Sequence, residues 1–81
     1  MYKVLIVEDE KNARDGLAEL IRNFDSEIQV IVRSNGLDGY QEALRYLPDI
    51  VISDIKMPRL DGISMAKKLH QKHFSGKIFL L

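Results

Sequence analysis

Four short apolar runs, at positions 4–7, 28–32, 50–52 and 78–81, alternate with three longer stretches in which apolar residues return every three or four positions. Runs of that length rich in Val and Ile predict strands, and the longer period predicts helices with one apolar face. In the first helical stretch Ala13, Leu17, Leu20, Ile21 and Phe24 form the stripe, with Arg14, Glu19 and Arg22 off it. The second gathers Leu37, Tyr40, Ala43, Leu44 and Leu47 on one side before Pro48 closes it, and the third runs from Ile63 through Ala66 and Leu69. Lys67, Lys68, Gln71 and Lys72 solvate its other side. Gly36 and Gly76 mark turns. The resulting order, βαβαβαβ, predicts an α/β fold: one parallel sheet with right-handed crossovers and helices on both faces. Gln29, standing between Ile28 and Val30, gives the second run the alternation of an edge strand with one wetter face.

The third run carries chemistry at its end. Residues 49–62 read Asp-Ile-Val-Ile-Ser-Asp-Ile-Lys-Met-Pro-Arg-Leu-Asp-Gly. No charge interrupts Ile50, Val51 and Ile52 until Asp54 is reached, and Pro58, which has no N–H for a ladder, ends the strand. Asp61 with Gly62 then opens the next helix. Asp54 is thereby delivered to the C-terminal end of a buried strand, the edge at which open α/β sheets bind ligands.

A second acidic cluster, Glu8, Asp9 and Glu10, follows the first run directly. Like charges this close raise one another's pKa, and a cation among them relieves the repulsion. If the first and third strands are neighbours, about 4.8 Å apart, Asp54 joins Glu8 and Asp9 at one edge. Oxygen ligands without His or Cys suit a hard divalent ion, Mg2+ or Mn2+. Taken alone, residues 8–10 suit equally well the positive N-terminal end of a helix starting near Lys11 or Asn12. Asp54 is what favours the metal.

Length and charge narrow the possibilities. Eighty-one residues make one small domain, 1–81, and twelve basic residues against twelve acidic ones give no net charge to draw the chain onto nucleic acid or anionic lipid. The absence of Cys excludes disulfides and thiolate metal sites. The apolar run after Met1 is too short for a signal peptide or a membrane span, so the expectation is a cytoplasmic chain without membrane contact.

The segment Leu5-Ile6-Val7-Glu8-Asp9-Glu10, together with residues 49–62, resembles the receiver domain of bacterial two-component response regulators, and the resemblance extends over the whole chain. It implies a flavodoxin-like sheet of order 2-1-3-4. By the same resemblance Asp54 is the phosphoacceptor, Asp9 and Asp54 ligate Mg2+, Glu8 acts on the ion through water, and the backbone carbonyl of Lys56 completes the protein ligands. A sensor histidine kinase is the implied partner. Any DNA contact is expected through a C-terminal effector domain absent from these residues. The family's fifth strand and last two helices are also missing, as are the Ser or Thr ending the fourth strand and the Lys ending the fifth. The expectation is therefore a partial receiver domain that binds Mg2+ weakly and phosphorylates slowly. An unpaired fourth strand, residues 78–81, predicts a homodimer or larger assembly.

Other features favour plainer roles. His70 and His73 have metal-compatible spacing but no third ligand, and Arg59 reads as a solvated loop charge. Two further function classes compete with the phosphoacceptor. One is a non-catalytic, self-associating scaffold. The other is a metal-dependent phosphatase, which pairs Asp-x-Asp at the first strand where this chain has Glu8-Asp9-Glu10. A nucleotide-binding Rossmann domain lacks its Gly-rich turn here.

Overall fold

Strand β1 (Lys3–Val7) lies at the centre of the molecule, and its 0–3% exposure from Val4 to Val7 leaves both of its faces covered. The structure, a computed structural model, describes residues 2–81. Around β1 are α1 (Lys11–Phe24), β2 (Gln29–Arg33), α2 (Gly36–Tyr46), β3 (Ile50–Ser53), α3 (Gly62–Gln71) and β4 (Lys77–Leu80). The four strands form one parallel sheet, as the alternation of elements predicted, in the order β2-β1-β3-β4 that the resemblance implied. β2 is an outer strand and only partly buried, in keeping with its mixed pattern.

Because side chains alternate across a strand, the sheet separates two cores. Leu5, Val7 and Val51 face α2 and α3, where Ala43, Met65 and Leu69 meet them at zero exposure. Val4 and Ile6 face α1 and meet Ala18, with Leu17 and Ile21 packed alongside. Each fully buried aliphatic side chain contributes roughly 1.5–3 kcal/mol from its removal from water. The helical stripes are correct in phase and overextended. Leu20 and Phe24 stay 66% and 86% exposed and Ala18 makes the contact, because α1 leaves an apolar groove of about 470 Å³ between itself and Val4, Ile28, Ile50 and Ile52. In α3 the buried residues are Met65 and Leu69, while Ile63 is 45% exposed.

Helix boundaries follow from local chemistry. Asn35 caps α2 by accepting the Asp38 N–H at 2.8 Å, and Asp61 caps α3 by accepting the Ser64 N–H at 2.7 Å. Gly36, expected in a turn, is instead the first residue of α2: a Cβ there would lie 1.6 Å from the Leu60 carbonyl oxygen. Leu47, expected on the packed face of α2, is its left-handed C-cap, with φ 53° and 62% exposure.

One buried acid fastens α2 to β2. Glu42, 5% exposed, accepts from Arg45 at 2.5 Å and from Arg33 at 3.0 Å. Burial pushes its carboxyl up, but the Arg45 hydrogen bond and the Arg33 and Arg45 charges outweigh it and hold the group below its ordinary range. A depressed folded-state pKa stabilises fully above the unfolded-state value and is lost as pH falls through the folded one. Glu42→Gln is expected to lower stability at about pH 7 by about 1–3 kcal/mol and to flatten the loss on acidification. Urea unfolding at about pH 7 and about pH 4 checks both, and parallel pH curves for parent and variant would contradict the assignment. At Leu47 the left-handed backbone disfavours a side chain with a Cβ. Leu47→Gly is expected to raise stability by about 0.5–1 kcal/mol, read as a higher thermal midpoint.

Candidate functional site

Parallel register sets the site. Val7 pairs with Arg33 on one side and Ser53 on the other, so the residues after them leave the sheet together at its C-terminal edge. The Asp54 N–H donates to the Val7 carbonyl at 3.1 Å, and the Glu8 N–H donates to the Arg33 carbonyl at 3.0 Å. The ladder is thus continued by one residue on each strand.

The three consecutive acids then take different directions. Glu10 turns into α1 and caps it, accepting from the N–H groups of Asn12 and Ala13 at 3.1 and 2.6 Å. Glu8 and Asp9 instead meet Asp54: one carboxylate oxygen from each of the three lies within 4.8 Å of the others. The helix-start reading thus holds for Glu10, while Glu8 and Asp9 lie beside Asp54 as the shared strand edge led one to expect. Among the described residues this is the one cluster of three or more potential metal-ligating side chains.

Glu8 records the crowding. A hydrogen bond from the Glu10 N–H, at 2.9 Å, pulls its pKa down, but partial burial and the nearby Asp9 and Asp54 carboxylates leave it raised overall. Arg14 donates to the Glu8 main-chain carbonyl at 3.1 Å, which fixes the backbone where it leaves β1. The donor set consists of carboxylate oxygens alone, from two strand ends, and fits a hard divalent cation.

Residues 4–81 match the response regulator receiver domain family. The chain belongs to that family. It is 37% identical over 70 residues to the uncharacterized transcriptional regulatory protein YesN of Bacillus subtilis, and 36% identical over 81 residues to the transcriptional regulatory protein BtsR of Escherichia coli K12. These alignments cover 85% and 99% of the chain but only 19% of YesN and 34% of BtsR. Among solved structures, the response regulator protein TrrA from Thermotoga maritima, crystallised in complex with Mg2+-BeF, superposes with a TM-score of 0.89 at 30% identity. That match covers 99% of this chain and 68% of TrrA. The observed sheet order and the alternation of helices are those of the receiver fold.

Other sequence candidates in this receiver domain lie outside the cluster. Lys56 is an exposed residue of the bend just beyond Asp54. Arg59 has a left-handed backbone, φ 70°, and approaches Asp38 of α2 at 3.8 Å. His70 and His73 are exposed at the far end of α3 and belong to no ligand cluster among the described residues. No helix is long and apolar enough to cross a membrane among the described residues.

Gly62, read in the sequence as opening α3, sits so close to the site strand that a Cβ would lie 2.3 Å from the Asp54 carbonyl oxygen. One contributor was missed in the sequence: Ser53, fully buried, donates to that same oxygen at 2.8 Å. The signal for Ser53 was a lone polar residue in phase with buried Val51, since a buried hydroxyl must find a partner.

Three converging carboxylates make the metal-free site repulsive. Asp54→Asn removes one charge and is expected to raise unfolding free energy at low salt, without divalent ions, by roughly 1 kcal/mol. Chemical denaturation of parent and variant in a chelator checks this; equal midpoints would mean solvent already screens the cluster.

Proposed function

We propose that this receiver domain accepts a phosphoryl group on Asp54 from a sensor histidine kinase, with Mg2+ held by Glu8, Asp9 and Asp54. The observation that carries the reading is the convergence of these carboxylates within 4.8 Å at the C-terminal edge of the sheet. Asp9 and Asp54 would be the direct ligands, Glu8 would act through water, and the Lys56 carbonyl would add a further oxygen. Mg2+ is preferred to Mn2+ because TrrA, at 30% identity, carries it. When bound, the ion supplies the positive charge that offsets repulsion between Asp54 and the incoming phosphoryl oxygens.

The chain's own part is nucleophilic. Asp54 Oδ1 accepts the Ile55 N–H at 2.8 Å, which leaves Oδ2 as the oxygen without that bond. Oδ2 attacks phosphorus, an O–P bond forms and the N–P bond of the phosphohistidine breaks. The departing imidazole keeps the electron pair and takes a proton from solvent. The product is an acyl phosphate whose added charge biases a two-state protein. The transcriptional regulators among its relatives support an output through a DNA-binding effector domain, and with it a cytoplasmic location.

A second reading, self-association, is favoured by one feature: among the described residues β4 pairs with β3 alone, and Phe79 and Leu81 are 54% and 67% exposed. One experiment separates the two. After incubation with Mg2+ and acetyl phosphate, the intact mass of the parent is expected to rise by one phosphoryl group, while Asp54→Asn or chelated samples stay unmodified. Sedimentation of the same samples is expected to be unchanged by Asp54→Asn. Modification that persists in Asp54→Asn would remove Asp54 as the acceptor.

A further inference from the structure

Ser53 is the last residue of β3 and has no solvent exposure. Its main-chain carbonyl accepts the Leu81 N–H at 2.9 Å, so the strand is still in register with β4 at this point. One residue later the strand ends. The Asp54 N–H remains in the sheet, bonded to Val7, but the Asp54 carbonyl accepts no strand partner and must be satisfied locally. The Ser53 hydroxyl does this, donating at 2.8 Å; Met57 Sδ, at 3.8 Å, is a much weaker acceptor for the same proton.

The next peptide unit is consequently held at both ends. Its C=O is bound by Ser53 Oγ, and its N–H, on Ile55, is bound by Asp54 Oδ1. Rotation of that plane would break both bonds together. The same carbonyl oxygen lies against Gly62, so close that a Cβ there would be 2.3 Å from it. Gly62 is itself tied to the same loop by its N–H to the Ile55 carbonyl at 2.7 Å. With the plane fixed, the side chain that uses Ile55 as its anchor is fixed too, and its free oxygen is aimed.

We propose that Ser53 is a positioning residue for Asp54: its buried hydroxyl locks the 54–55 peptide, which in turn holds Oδ1 and leaves Oδ2 as the attacking oxygen. This rests on the reading of Asp54 as the phosphoacceptor. Ser53 touches neither metal nor phosphoryl group, and it acts through the Asp54 backbone. Reactions of this kind depend on orientation, so loss of the lock slows transfer more than it weakens donor binding.

The decisive comparison is Ser53→Thr against Ser53→Val in the full chain. The two added side chains match in shape, so any crowding is common to both and only the hydroxyl differs. With acetyl phosphate and Mg2+, Ser53→Thr is expected to modify Asp54 about tenfold faster at saturating donor than Ser53→Val, with half-saturating donor concentrations alike. Ser53→Ala, which cannot overpack, is expected to behave as Ser53→Val does. Amide hydrogen exchange, which is independent of phosphorylation, is expected to accelerate at Ile55 in the Ala and Val variants while Val51 stays protected.

Equal saturating rates in Thr and Val, or unchanged exchange at Ile55 in Ser53→Ala, would overturn the proposal and leave Asp54's role intact. A parent chain that acetyl phosphate fails to modify, with the exchange result as expected, would overturn the phosphoacceptor reading and this assignment with it. If both bulkier variants unfold in urea below the parent's range, the Ser53→Ala rate and exchange decide alone.

Discussion

Parallel pairing of β1 with β3 is the constraint on which the site depends. It places Val7 opposite Ser53, and so sets the ends of two strands, 46 residues apart in sequence, at the same height. An antiparallel pair would send one of those ends to the opposite edge of the sheet. The connection that allows the pairing, through α1, β2 and α2, is far longer than the distance it has to bridge. Its surplus builds the helix that covers one face and half of the cover for the other. Core and site are in this sense one arrangement, in which the apolar residues of β1 are buried so that the acids after them can be exposed.

What the strands bring together, the loops distribute. Glu8, Asp9 and Glu10 are adjacent and chemically similar, yet only two of them join Asp54, because the third satisfies the open N–H groups of α1. A helix start and a cation site both attract carboxylates, and here they adjoin. On the other strand, Asp61 performs for α3 the task Glu10 performs for α1, at the far end of the loop that begins with Asp54. The cluster is consequently bracketed by two capped helices, which fix the chain on either side of its carboxylates.

The strands were legible because Val and Ile concentrate in runs that turns interrupt, and the acidic cluster was legible because Asp54 adds a second acid-tipped run to the ambiguous acids after the first. Helix faces were less so. Periodicity shows the direction a helix faces but not how closely it packs, which is why Leu20 and Phe24 share a stripe with Leu17 and Ile21 and still stand off the sheet across an apolar groove. Leu47 followed the period of α2 into a position where the chain has already turned left-handed. Glu42 and Ser53 were silent for a different reason. Each is polar and satisfied, but its burial, which makes the partner matter, is set by the tertiary structure: two arginines serve one, a departing backbone carbonyl the other.

The contact between Gly36 and Leu60 has a meaning for how such a chain can change. The start of α2 and the loop between β3 and α3 touch backbone to backbone at the point where a Cβ on residue 36 would lie 1.6 Å from the Leu60 oxygen. Any side chain at 36 demands a different path at 60, and a different path at 60 shifts the span that runs back to Asp54. Substitutions in the two segments therefore cannot be scored separately, since their effects couple through shared space. A helix that adds no residue to the acidic cluster still sets the shape of the loop that leads from it, and the two must drift as one unit.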